Sequence, residues 1–139
     1  MINNRMGIKE LKDILLTENN TIVIYKSDAS LIVSDERGVT PLMKILSDDK
    51  TQLKDAIVAD KVIGKAAALL MIYGSVKEVY TPTISAPAIE VFLNHNITLH
   101  YDKVVDRIIN RKGDGLCPME TLCLDIEKPD EAYLLLSTK

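Results

Sequence analysis

Apolar residues recur at helical spacing at Ile8, Leu11, Ile14 and Leu15, with Lys9, Lys12 and Asp13 on the polar face and Asn19-Asn20 as a stop. This pattern predicts an amphipathic helix over about residues 7–18. Two β-rich runs, TIVIY at 21–25 and SLIVS at 30–34, flank the turn-forming Lys26-Ser27-Asp28 and predict a hairpin closed by the polar SDERG. Thr40-Pro41 then supplies a cap and a first helical residue for a short helix through Leu42, Met43, Ile45 and Leu46, which Ser47-Asp48-Asp49 ends. A short apolar run at 56–59 leads into Asp60. Residues 62–73 are almost wholly apolar or small, too long a stretch for a strand, and with Gly74 as C-cap they read as a buried central helix.

The second half alternates. VKEVYTP at 76–82 reads as a strand, SAPAIEVFLNH at about 85–95 as a helix and NITLHYD at 96–102 as a strand, an order that implies parallel pairing through a crossover. A polar helical stretch near 103–110, a glycine loop at Gly113-Asp114-Gly115, a helix from about Pro118 and a last helix over 129–136 complete the chain. A hairpin followed by helices and parallel strands, with helices for both faces, predicts a three-layer α/β/α sandwich on a mixed sheet. At 139 residues without repeat or low-complexity linker, the whole chain 1–139 is expected to form one domain.

Composition narrows the function classes. The 47% hydrophobic content suffices for a core, and the net charge of −3 is spread along the chain, which disfavours a nucleic-acid backbone as partner. With no Trp, one Phe and five Tyr there is little to stack bases on. The N-terminus is interrupted by Lys9, Glu10, Lys12 and Asp13, unlike a secretory signal, and no apolar run nears the ~20 residues of a membrane span. Cys117 and Cys123 lie six apart in a helical stretch, on different faces, which argues against a disulfide and for a reducing, cytoplasmic setting.

The element order helix, hairpin, central helix, strand, helix, strand, helix, helix resembles the cytidine deaminase fold, and VYTPTISAPAIEVFLN sharpens the likeness. In deaminases the strand runs into a helix opening with Pro-Cys-x-x-Cys, and the central helix opens with His-Ala-Glu or Cys-Ala-Glu. Here those places read Ser85-Ala86-Pro87-Ala88 and Asp60-Lys61-Val62-Ile63-Gly64-Lys65, with no Cys or His to hold zinc, so neither metal nor other cofactor is expected. GVTPL at 38–42, ADKVIGKAAALL at 59–70 and CPMETL at 117–122 together resemble the small bacterial family called domain of unknown function 1893. That resemblance implies a deaminase-like architecture and a pocket rather than a reaction.

Two constellations carry the candidate chemistry. Asp60-Lys61-x-x-Gly64-Lys65 stands where the central helix begins, so free N–H groups, two cations and a close-approach glycine could face a polar or anionic ligand. The plainer account has Asp60 capping, the lysines solvated and Gly64 relieving crowding against a strand. Cys117-Pro118-Met119-Glu120 puts a thiol at an N-cap with a glutamate on its face. Its plainer account is a capping box in which Glu120 returns to the backbone and Leu116, Met119, Leu122, Cys123 and Ile126 pack inward. His95 and His100 lack any partner at metal spacing and read as surface residues, and Ser34-Asp35-Glu36-Arg37-Gly38 as a solvated turn or a lid.

The expectation is a zinc-free, deaminase-like domain that binds a small polar or nucleotide-like ligand between the central helix and the CPME helix, in a regulatory or sensing role. Lys61 and Lys65 would supply charge, Gly64 access, Asp60 and Glu120 hydrogen-bond acceptors, and Cys117 a wall. The rival is a metal-independent enzyme with Cys117 as nucleophile or Glu120 as general base. A third expectation is an interaction module whose apolar central helix is covered by a second copy of the chain.

Overall fold

The computed structural model describes residues 6–109 and 118–138. The elements run α1 (Ile8–Thr17), β1 (Ile22–Tyr25), β2 (Leu31–Ser34), α2 (Thr40–Asp48), a 3-10 turn (Lys50–Leu53), β3 (Ile57–Asp60), β4 (Val62–Ile63), α3 (Lys65–Tyr73), β5 (Glu78–Ser85), α4 (Ala86–Leu93), β6 (Thr98–Val105), α5 (Pro118–Cys123) and α6 (Pro129–Ser137). β1 pairs antiparallel with β2 and β3, and β5 pairs parallel with β3, β4 and β6. Because β6 follows Glu78 to Ser85 along one side of β5, β3 and β4 must share the other side in succession, as one strand broken at Lys61. The sheet is mixed, as the order of elements predicts.

Alternation decides which helix covers which face. Val23, Tyr25, Ile57, Ala59 and Tyr80 turn to one side and meet Leu11 and Leu15 of α1, with Met6, Ile8 and Ile14 at the margin. Ile22, Ile24, Val58, Val79 and Ile84 turn to the other and meet α2 through α6. The result is an α/β/α sandwich in which, among the described residues, α1 covers one face and α2 through α6 the other. Leu11 and Leu15 are the buried residues of α1, and at roughly 1.5–3 kcal/mol for each buried leucine they hold that layer on the sheet. Residues Lys65 to Met71 of α3 are all buried, enclosed by α2, α4, α5 and α6 of the same chain.

The structure departs from the sequence-based expectation at four places. Val62 and Ile63 do not begin the central helix: these β-branched residues pair with Thr83 and Ile84, and the helix starts after Gly64. The run before Asp60 is a fully buried strand, whose four residues carry no alternation to betray it. The expected helical stretch at 103–110 is instead the end of β6 through Val105, because Lys103, Val104 and Val105 extend the ladder beside Thr83, Ile84 and Ser85; Asn110 and the glycine loop lie outside the described residues. In α2, Thr40 is already helical and Val39 is the N-cap, with Pro41 in the first turn.

Gly74 caps α3, but for want of space rather than for a left-handed backbone. Its φ is −82°, and the left-handed residue is Ser75 at φ 65°, after which the Val76 N–H closes on the Met71 carbonyl at 3.1 Å. A Cβ at position 74 would lie 2.7 Å from the Leu53 Cβ and 2.8 Å from its Cδ1. Gly74→Ala should therefore destabilise the protein by about 1–3 kcal/mol in urea unfolding, as overpacking does; a change under half of the lower bound would show that the 3-10 turn yields freely.

Candidate functional site

The parallel register places two helix starts side by side. Ile63 pairs with Ile84, Gly64 follows the first and opens α3, and Ser85 follows the second and opens α4, its hydroxyl accepting from the Ala88 N–H at 3.3 Å. The carboxyl ends of parallel strands are where open α/β sheets take ligands. Side chains at the two openings include Lys65 and Ser85, both buried, and neither is a thiolate or imidazole zinc ligand. Among the described residues no group of three His, Cys, Asp or Glu converges to hold a metal.

At the start of α3 the chain supplies its own anion. Glu120, on α5, is only 4% exposed, and its Oε2 accepts the Ala66 N–H at 3.1 Å, with the Lys65 N–H also directed at it. The carboxylate lies so close that a Cβ on Gly64 would sit 2.5 Å from Glu120 Cδ and Oε2 and 2.7 Å from Oε1. Gly64 thus relieves crowding against a carboxylate from another helix, where the sequence suggested a strand. Lys65 completes the exchange: its Nζ donates to the Leu124 carbonyl at 2.8 Å, just past the end of α5, and lies 3.6 Å from Glu127. Each helix end receives the charge that suits its dipole, an anion at the α3 N-terminus and a cation at the α5 C-terminus.

Burial pushes the Glu120 carboxyl up, against the opposing pull of the Ala66 and Lys65 N–H groups and of Arg107 and Lys65. Burial and the Glu120 charge push the Cys123 thiol up as well, so this buried free cysteine is a core residue beside Met119, Leu122 and Ile126 rather than a nucleophile. Cys117 and Leu116 lie outside the described residues, and with them the cysteine on which the rival enzymatic expectation chiefly rests. Glu120 bridges to α3, and the Cys117 end of the expected capping box lies outside the described residues.

Asp60 sits apart from α3, at the last position of β3 opposite Ile22, and caps no helix. Burial raises its carboxyl to about 8, only partly offset by the Val62 and Lys61 N–H groups that it accepts in the strand break. Lys61 is half-buried and its own N–H is spent on the Thr21 carbonyl at 3.0 Å. The structure therefore brings Gly64, Lys65 and Glu120 into direct contact, with Asp60 and Lys61 in the strand break just before them. His95 bonds the Val91 carbonyl and His100 pairs with Glu78, both at 2.8 Å. The SDERG turn is tied down by the Lys44–Glu36 pair at 2.7 Å and by the Thr21 hydroxyl on the Glu36 carbonyl.

Two outcomes follow from this geometry. Folded Asp60 keeps its proton to about pH 8, whereas the unfolded chain releases it near 3.8, so its contribution to stability is whole below that value and is lost as pH rises through 8. The melting temperature of Asp60→Asn should accordingly gain on wild type steadily between pH 5 and 9, and parallel curves would show a solvated carboxylate. Gly64→Ala should cost about 1–3 kcal/mol in the native background and much less beside Glu120→Ala; additive losses in this double-mutant cycle would deny the contact.

Comparison with known proteins identifies the frame. The chain matches the structure of a DUF1893 family protein, TM1506, from Thermotoga maritima with a TM-score of 0.83 and 23% sequence identity, over 100% of this chain and 97% of that one. At that identity the likeness speaks for the fold. Among curated proteins none matches this sequence. A family model described as domain of unknown function DUF1893 covers residues 10–139, and the chain therefore belongs to that family.

Proposed function

We propose that this protein is a zinc-independent, deaminase-like binding domain whose ligand, a small anionic or nucleotide-like metabolite, competes with Glu120 for the start of α3. The observation that carries the reading is the buried Glu120 carboxylate on the α3 N–H groups, where a ligand anion would dock. Glu120 then holds the free protein closed, and a ligand that takes its place releases α5, which gives binding a regulatory output. Lys65 is the cation freed from Leu124 and Glu127 to meet the ligand's charge. The order helix, hairpin, helix, broken strand, central helix, strand, helix, strand and two further helices supports the deaminase likeness, and that likeness supplies the nucleotide-like ligand class.

Melting of metal-analysed protein against nucleotides, nucleosides and related metabolites tests this, since a ligand of the folded state must raise the midpoint by mass action. The expected pattern is a shift from at least one anionic compound, larger in Glu120→Gln, where the competing charge is gone, and lost in Lys65→Met. Absence of any shift in both wild type and Glu120→Gln, or an equal shift in Lys65→Met, would leave Glu120 as a structural tie alone.

A further inference from the structure

Two buried tyrosines on one face of the sheet differ in how their hydroxyls are met. Tyr80 and Tyr25 both pack on the α1 face, at 3% and 8% exposure. Tyr80 donates its hydroxyl to Asp102 at 2.5 Å, and burial together with that carboxylate pushes its pKa up to about 12. The buried Tyr25 hydroxyl has no hydrogen-bond partner among the described residues. An unmet buried hydroxyl costs about 1–3 kcal/mol, a cost that a ligand oxygen or a water bonded to it would recover.

Tyr25 lines a cavity of about 410 Å³ at the amino-terminal ends of β3 and β5, at the opposite end of the parallel strands from the Glu120 contact, together with Met6, Lys26, Ser27, Asp55, Ile57 and Lys77. The walls are fixed by backbone bonds. Lys26 N–H meets the Ser30 carbonyl, Lys77 N–H the Ala56 carbonyl and Asp55 N–H the Ser75 carbonyl, each at 2.9 Å. Two ammonium groups face one carboxylate. Lys26 is shared with Gln52 at 3.2 Å and Asp28 at 3.7 Å, whereas Lys77 is exposed and makes no ion pair among the described residues. Ile57 supplies an apolar wall, and Met6, an unbranched and adaptable side chain, packs against the cluster that contains Tyr25.

The geometry points to a second ligand site here, which takes a small molecule bearing an oxyanion, carboxylate or phosphate, on a compact apolar body. Lys77 and Lys26 meet the charge, the Tyr25 hydroxyl donates to an anion oxygen, and Ile57 and Met6 cover the apolar part. The volume suits a molecule of about ten non-hydrogen atoms.

Titration calorimetry with phenyl phosphate, benzoate and neutral benzyl alcohol as probes tests the site and separates phosphate from carboxylate. At least one anion should bind in the range of ~1 mM or tighter, and the alcohol should not. Tyr25→Phe should weaken that anion about fivefold, the share of one hydrogen bond, and Lys77→Met by a similar factor with a shallower salt dependence. Unliganded Tyr25→Phe should melt no lower than wild type, because it removes a hydroxyl with nothing to bond. Lys65→Met should leave this binding unchanged, which separates it from a ligand at the start of α3. No heat from either anion up to ~10 mM, undiminished binding in both variants, or a lowered melting point for unliganded Tyr25→Phe would each overturn the proposal.

Discussion

A reciprocal exchange of charge between two helix ends organises this protein. Glu120 of α5 occupies the N–H groups at the start of α3, and Lys65 at that same start reaches back to the carbonyl of Leu124 past the end of α5. Neither half is free. The upward displacement of the Glu120 carboxyl shows that burial outweighs the help of the helix amides, so the contact is electrostatically strained even when satisfied. It persists because Gly64 leaves room and because Met119, Leu122 and Cys123 fasten α5 to the core.

The strand break explains why the exchange occurs where it does. β3 and β4 run along one side of β5 with Lys61 between them, and the interruption brings the chain into α3 with its first amides at the sheet edge. Asp60 accepts the Lys61 and Val62 N–H groups inside that break, where the Lys61 N–H also meets the Thr21 carbonyl. The cost is a buried acid that prefers its proton.

Much of the fold was legible because its amphipathic parts declare a period. Ile8, Leu11, Ile14 and Leu15 mark α1, the valine and isoleucine runs mark the hairpin, and the strand–helix–strand order from 76 to 102 gives the parallel pair β5 and β6. What failed is what has no period. The run before Asp60 is short and buried throughout, and Val62 and Ile63 merge into one apolar stretch with α3, from which only tertiary pairing to β5 divides them. Lys103, Val104 and Val105 read as helix by polarity, yet as an edge strand they need only the ladder on one side. In the candidate site, Gly64 and Lys65 stood out locally, but no sequence signal links Gly64 to Glu120, fifty-six positions on; that contact exists only once α5 is laid across α3.

Among the described residues, unmet or strained polar groups lie at both ends of the parallel strands. At the carboxyl ends lie Asp60 with its raised pKa and Glu120 with its crowded carboxylate; at the amino ends lies the Tyr25 hydroxyl beside Lys26 and Lys77. Between them the sheet is ordinary, its inward faces filled by Ile24, Val58, Ala59 and Val79 at no exposure. A core assembled for stability alone would place its compromises at random or remove them, since each costs on the order of 1–3 kcal/mol against a total of roughly 5–15. That the compromises fall on strand termini, where backbone and charged side chains converge and apolar packing ends, ties them to the positions at which an α/β sheet can meet a small molecule.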